Sequence, residues 1–397
     1  MADIGTLEQQ DFDLTEIEVD NEEDEEELGK IDTKDIIVYA RDWTIDTIYQ
    51  QIDNGNIDLN PAFQRRNAWT DDKRSKLIES IMIGYPIPEI VLAEDMKHKR
   101  TFIVIDGKQR LLTLAGFMNH EKYKYWDTPK LKGLKLLNQL NGKTFEDFCQ
   151  EKNLKTEFGN SSLRCSVITN YRTEDGNDSV LYDLFYRLNS GSVKLSTQEL
   201  RQALYRGHFS NWLIEVTSSK TQIHHALSLS DADKRMRDAE MVLRLLAFCF
   251  RANKYKGNLK SFLDESMQDF NQQWEKQEEK IKSKYEDILA AIDKLKIAFE
   301  DYKCIGRKYQ RGKFESRSNK VLLEVEIFYF MQISAEEVES KHSEFIEAFK
   351  QMCTDDNDFR NSIESSTKNI DNYKVRYSKF GSLMQTMFSK DFENPFV

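Results

Sequence analysis

Breakers of regular structure are scarce: 16 glycines and 5 prolines are spread over 397 residues. That scarcity excludes collagen-like and low-complexity architectures and points to a helix-rich chain. Cysteine is scarce too. Cys149, Cys165, Cys249, Cys304 and Cys353 are odd in number, far apart and form no CxxC pair. This excludes a disulfide framework and a zinc knuckle and fits a reducing, cytoplasmic compartment. No run of 18 apolar residues occurs, and the N-terminus has neither a basic nor an apolar leader region. Secretion and membrane spanning are therefore not expected. The histidines (His98, His120, His208, His224, His225 and His342) show no metal-ligand spacing. Neighbours on a helix point about 100° apart and rarely share an ion, so His224-His225 reads as a surface doublet and no metal site is expected.

Charge is present in quantity but unevenly. The net charge is −11, yet residues 1–30 hold thirteen carboxylates against the single Lys30. The remainder is close to neutral, so an acidic total does not argue against a polyanionic partner. Asn21 to Glu27 is one asparagine and six acids, a self-repelling block that reads as a disordered, solvating tail. A sharper reading makes it a phosphate mimic competing for a basic groove on the body.

Residues 31 to about 175 have a mixed pattern. Asp35–Ala40 predicts a strand, Thr44 caps an amphipathic helix, and Thr70 caps a second that Gly84 stops. Strands are predicted at Glu89–Ala93, Thr101–Ile105 and Leu163–Thr169, with a helix from Lys108 to about Asn119. From 176 to 397 the period is helical. Ser196-x-x-Glu199 is a capping box, and Ala239–Phe250 reads as a central buried helix. Residues 265–300 are charged, with Trp274, Ile281, Tyr285, Ile288, Leu289 and Ile292 spaced like a docking stripe. Lys234, Arg235, Arg237 and Arg244 read as surface charge. The fold class is α+β: a mixed α/β domain followed by a large all-α region.

Three segments could carry chemistry. In Ile105–Arg110 a buried strand meets a helix at Gly107, whose missing side chain permits close backbone approach. Unpaired first-turn amides make such a junction an anion site, and Lys108 and Arg110 add charge where a phosphate would sit. Asp106 can hold a metal ion, orient water or anchor Arg110; Gln109 can position water or read a base. Ordinary connection chemistry explains such junctions equally often. Asn60–Trp69 places Gln64, Arg65 and Arg66 between Phe63 and Trp69, with forked guanidinium donors beside stacking faces. The plain alternative is a surface loop whose aromatics plug the core. Leu184–Ser192 contains Arg187 and Asn189 and by itself reads as an Asn/Gly helix stop.

The order of these pieces resembles the N-terminal domain of GmrSD-type restriction endonucleases. The matches are Gln64, Arg65 and Trp69; Pro86-Ile87-Pro88; Asp106, Gly107, Gln109 and Arg110 with Leu111, Thr113 and Leu114; and Phe185, Arg187, Leu188, Asn189, Ser190 and Gly191. Glu199, Leu200 and Arg201 close the series. Ser365-Ser366-Thr367 with Val375 and Arg376 is similar, more weakly, to a C-terminal helical signature of the same family. The resemblance implies a ParB/sulfiredoxin-like core at 31–175 that binds a nucleoside triphosphate, with magnesium left open. Asp106, Gln109 and Arg110 would act on it. Gly107 and Lys108 would bind it, with Gln64, Arg65, Arg187 and Asn189 lining the cleft. It further implies nucleotide-dependent restriction or phage defence acting on DNA. The appended HNH-type histidine cluster of many relatives has no counterpart here. A separate nuclease or helicase subunit, and self-association, stay open.

Residues 303–320 hold seven basic residues against Glu315 alone, with Tyr309 and Phe314 interleaved. Read as a mobile loop loosened by Gly306 and Gly312, the segment would use Arg307, Lys308, Arg311 and Lys313 to bind nucleic acid. A solvated loop answering acidic neighbours explains it equally well. The alternative function is a non-catalytic DNA- or partner-binding module that uses the ParB-like core and this basic loop.

Overall fold

The computed structural model describes residues 36–57, 59, 69–95, 100–124, 126, 128–169, 184, 196–233 and 235–396. The described residues fall into two compact units. One is built on Leu28–His225 with Leu229–Leu289, the other on Ala226–Ser228 with Ala290–Val397.

The first unit carries a four-stranded mixed sheet of order β1-β4-β2-β3, formed by β1 (Ile37–Thr44), β2 (Ile90–Glu94), β3 (Phe102–Asp106) and β4 (Ser162–Thr169). β1 pairs antiparallel with β4, β4 parallel with β2, and β2 antiparallel with β3. Central β2 is buried from Ile90 to Ala93, so its unbroken apolar run is the expected pattern. β1 is an exposed edge and lies two to four residues later than Asp35–Ala40 suggests. Its residues contribute little to the core, so hydrophobicity could not fix its limits.

Helices α1 (Ile45–Asp53) and α2 (Asp71–Ile83) begin where their threonine caps dictate, and α3 (Lys108–Met118) begins directly after Gly107. The Thr44 and Thr70 hydroxyls accept from the amides of Thr47 and Lys73. The core joins Ile45, Ile48 and Ile52 of α1, Ile78 and Ile81 of α2, and Leu111, Leu112 and Leu114 of α3. At the far end of α3, Phe117 is ringed by Trp126, by Phe145 and Phe148 of α4 (Phe145–Gln150), and by Phe158 of α5 (Lys152–Asn160). Burial beside Asp42 and Glu89 pushes the Cys165 thiol up to about 12, which leaves it unreactive.

Further helices complete this unit: α6 (Thr197–Leu204), α7 (His208–Val216), α8 (Gln222–Ala226), α9 (Arg237–Arg251), α10 (Leu259–Gln272) and the start of α11 (Trp274–Phe299). Several readings need correction here. Trp274, Ile281, Tyr285, Ile288 and Ile292 are core residues, not a docking stripe. Arg244 is buried, and Arg237 is forked on Asp233 at 2.7 and 3.0 Å. His224 is buried against Asp238 while His225 is exposed, as a 100° step requires.

The second unit contains α12 (Lys320–Phe330), α13 (Ala335–Asp355), α14 (Asn357–Glu364) and α15 (Ile370–Phe388), with a small hairpin of β5 (Tyr309–Gln310) and β6 (Lys313–Phe314). Arg376 of α15 donates to the carbonyls of Thr367 and Asn372 and covers the Tyr373 ring at 4.2 Å. The two pieces of the C-terminal sequence signature thus form one helix-entry structure.

Glu326 in α12 is fully buried. One carboxyl oxygen accepts from the Gly306 amide at 2.7 Å and the other has no partner. Burial holds this carboxyl well above its ordinary 4.5, despite the Gly306 bond and the Arg307 charge. The folded chain then keeps a proton that the unfolded chain has lost. This contribution is intact below the ordinary value and declines as pH rises toward the folded one. Glu326→Gln is expected to flatten the fall of melting temperature as pH rises above the ordinary carboxylate range. Superimposable wild-type and variant pH profiles would disprove it.

Candidate functional site

The junction of β3 and α3 is shaped by a bulge. Val91 pairs with Asp106 but Leu92 pairs with Val104, so Ile105 has no opposite residue. Such an insertion bends the strand end and re-aims its last side chains. Gly107 follows with φ +93°, and a side chain there would meet Arg110 Nη2 at 3.0 Å and Ile90 Cγ1 at 3.1 Å. Only glycine lets the Arg110 guanidinium fold back over the turn. Arg110 Nη2 donates to Asp106 Oδ2 at 2.7 Å and to the Glu89 carbonyl at 3.1 Å. Its Nε is buried without a partner, as is Gln109 Oε1.

The start of α3 departs from its neighbours. No side chain caps it and its first turn has no acid, whereas α2 has the Thr70 cap with Asp71 and Asp72. Instead, Lys108 and Arg110 stand at the positive end of the helix, where a cation costs about 0.3–1 kcal/mol; Asp106 offsets Arg110 at 2.7 Å, and the Lys108 charge reaches Glu199.

One contributor escaped the sequence reading. Glu199 of α6, which lies against β3, feels the Lys108 charge. Its Oε2 accepts from the Ser196 amide at 2.6 Å and stands 3.5 Å from Arg235 Nε. That second contact is Coulombic, since Arg235 Nε makes no hydrogen bond. Burial pushes the Glu199 carboxyl up, while the Ser196 bonds and the charges of Arg235 and Lys108 pull it down. The Ser-x-x-Glu spacing signals a capping box and nothing about a cation 91 positions upstream. Arg201, in the same motif, is buried on Asp264 at 2.7 Å and Gln198 at 2.6 Å, a packing role.

Asp106, Gly107, Lys108, Gln109 and Arg110 are therefore gathered at one junction. Gln64, Arg65, Arg187 and Asn189 lie outside the described residues. Residues 45–206 match the GmrSD restriction endonuclease N-terminal domain. No curated protein and no solved structure matches the chain. The GmrSD-type match spans every motif of the resemblance except the signature at 365–376.

The basic segment outside the GmrSD-type residues is corrected by its surroundings. Arg307 is 2% exposed, and its guanidinium donates to the carbonyls of Ile305 and Ala226 and to Ser228 Oγ. It cannot reach a nucleic acid. Lys308 is paired with Glu364 at 2.9 Å and Glu315 at 3.3 Å. Arg311 and Lys313 are exposed, but Arg311 and Gly312, both at positive φ, form a two-residue turn of a tight hairpin. Gly312 fixes this turn; it does not loosen a loop. Among the described residues, no three His, Cys, Asp or Glu side chains converge as a metal site, and no helix is long and apolar enough to cross a membrane.

Proposed function

We propose that the β3–α3 junction binds the phosphates of a nucleoside triphosphate and that the chain serves a restriction or phage-defence system acting on DNA. The observation carrying this reading is the uncapped α3 N-terminus with two cations in its first turn, beside a buried Arg110 Nε and Gln109 Oε1 that lack partners. An anion there would accept from the first-turn amides and from the Arg110 Nε that Asp106 leaves unused. The GmrSD-type match supports the DNA context.

In this reading Lys108 and Arg110 hold phosphate oxygens, and Gly107 keeps the approach clear. Asp106 is a positioning residue that orients the Arg110 fork. Gln109 offers an acceptor to an attacking water, so hydrolysis is the reaction class we assign. Magnesium, if carried, would draw most of its oxygen ligands from the triphosphate and water, with Asp106 the nearest protein donor. We assign this chemistry to a ParB/sulfiredoxin-like domain at 31–175, with 176–397 as a helical domain. A nuclease or helicase subunit would supply any cleavage.

Nucleotide titration by thermal shift tests the reading. A ligand at 100 times its Kd stabilises by about 2.7 kcal/mol, a rise of about 2–4 °C. Wild type should show that rise with one nucleoside triphosphate and Arg110→Ala should not. Absence of any rise with all common triphosphates, or an equal rise in the variant, would remove the reading.

A further inference from the structure

Residues 119–144 connect α3 to α4 with one 3-10 turn, Asn138–Leu140, as their sole regular element among the described residues. Connections of that length are usually either disordered or functional. This one is fixed in place. Trp126, Leu131, Leu134 and Leu140 are buried in the core. Ser75 Oγ of α2 accepts from the Lys132 amide, and buried Glu79 Oε1 accepts from the amides of Leu136 and Leu137, each at 2.9 Å. Asn141 spans the lobe, accepting from the Leu134 amide and donating to the Leu134 and Asn138 carbonyls.

The fixed lobe is basic. Residues 121–143 contain six lysines against Glu121 and Asp127. Lys122, Lys132 and Lys143 are paired with Asp53, with Asp71 and Asp72, and with Glu151. Lys124, Lys130 and Lys135 are exposed, and the Lys130 charge reaches Asp147 without a close ion pair among the described residues. Lys130 and Lys132 border a cleft of about 510 Å³ that Asp71, Gly133 and Gly142 also line, with the Asp72 carboxyl close to Gly133. Leu136, which follows Lys135 in the sequence, is 60% exposed, an unusual exposure for a large apolar side chain.

We propose that this lobe is the duplex-DNA contact surface of the chain, with Lys124, Lys130 and Lys135 on backbone phosphates and Leu136 on the groove wall. The inference rests on the reading that the chain acts on DNA. Point charges on a preformed scaffold suit phosphate contact at low ordering cost. Among the described residues of the lobe, Tyr123 and Trp126 are buried and offer no stacking faces, which favours duplex over single strands; Tyr125 lies outside the described residues. The same burial argument separates this lobe from the 303–320 hairpin, where Arg307 and Lys308 are already engaged.

Fluorescence anisotropy of a labelled duplex of about 20 base pairs with the full chain, between about 50 and about 200 mM salt, tests it. The triple variant Lys124→Ala, Lys130→Ala, Lys135→Ala should bind at least about tenfold more weakly. Its slope of log affinity against log salt should be shallower by about 2–3, with an unchanged melting temperature. Arg311→Ala with Lys313→Ala should stay within about twofold of wild type. Wild-type binding that the triple variant retains in affinity and slope would overturn this surface while leaving DNA action standing. A larger loss in the hairpin variant, or wild-type preference for single-stranded RNA, would also overturn it. Wild type that binds no duplex at low salt would take the DNA reading down with it, whereas the thermal-shift titration reports on the nucleotide alone.

Discussion

Phe117→Ala is expected to cost about 3–5 kcal/mol, the range for deleting a buried aromatic. Phe117 is 2% exposed and touches four rings, with centroids 5.7 Å from Trp126, 5.8 Å from Phe145, 5.4 Å from Phe148 and 5.7 Å from Phe158. Three of these contacts are edge-on, the geometry in which ring quadrupoles attract. Four rings from three separate segments cannot all collapse into the space, so a cavity persists. Phe117→Leu should lose less, because most of the volume stays. Urea denaturation gives the difference. A loss under about 1 kcal/mol for the alanine variant would mean that the rings do not pack as one cluster.

Gly107→Ala is the second large effect, and it should separate stability from ligand response. The backbone at φ +93° disfavours any side chain, at a cost of about 1–3 kcal/mol. The new methyl group would also force Arg110 off Asp106 and the Glu89 carbonyl, because it would lie 3.0 Å from Nη2. The variant should therefore melt lower and also lose the thermal response to nucleoside triphosphate. Asp106→Asn keeps the fold-back of Arg110 with a weaker, uncharged acceptor, and should retain part of that response. A Gly107→Ala protein with wild-type nucleotide stabilisation would show that the turn is structural and the anion site lies elsewhere.

The helices and inner strands were legible because caps and periodicity are local. Thr44, Thr70, Gly84 and the Ser196 capping box set their elements where the spacing says. The Asp106–Arg110 junction was legible for the same reason: a β-rich run, a glycine and a helical period follow one another directly. The bulge at Ile105 was not, since register depends on a partner strand. Glu199 reads as a cap and as the close of the family series, not as a neighbour of Lys108, because that relation arises from α6 lying against β3. The fate of Arg307 and Lys308 was hidden for a matching reason. Seven basic residues in a row of eighteen describe composition, while carbonyls near Ala226 and a carboxylate at Glu364 decide exposure. The 119–144 lobe escaped notice because side chain to backbone bonds from Glu79 and Asn141 leave no period in the sequence.

The strand order bears on how the chain must be made. Among the described residues the sheet partner of β1 is β4, and their nearest pair, Thr44 and Ser162, is about 118 residues apart. Closing so long a loop is slow, because its entropy is lost before the strand contacts repay it. β2 also waits for β4, through the parallel pairing of Ile90 with Cys165. Nascent chains shorter than Thr169 therefore hold β1 without a neighbour and β2 with one side open. An expression fragment meant to present the Asp106–Arg110 junction must run past Thr169, however compact the shorter piece looks on paper.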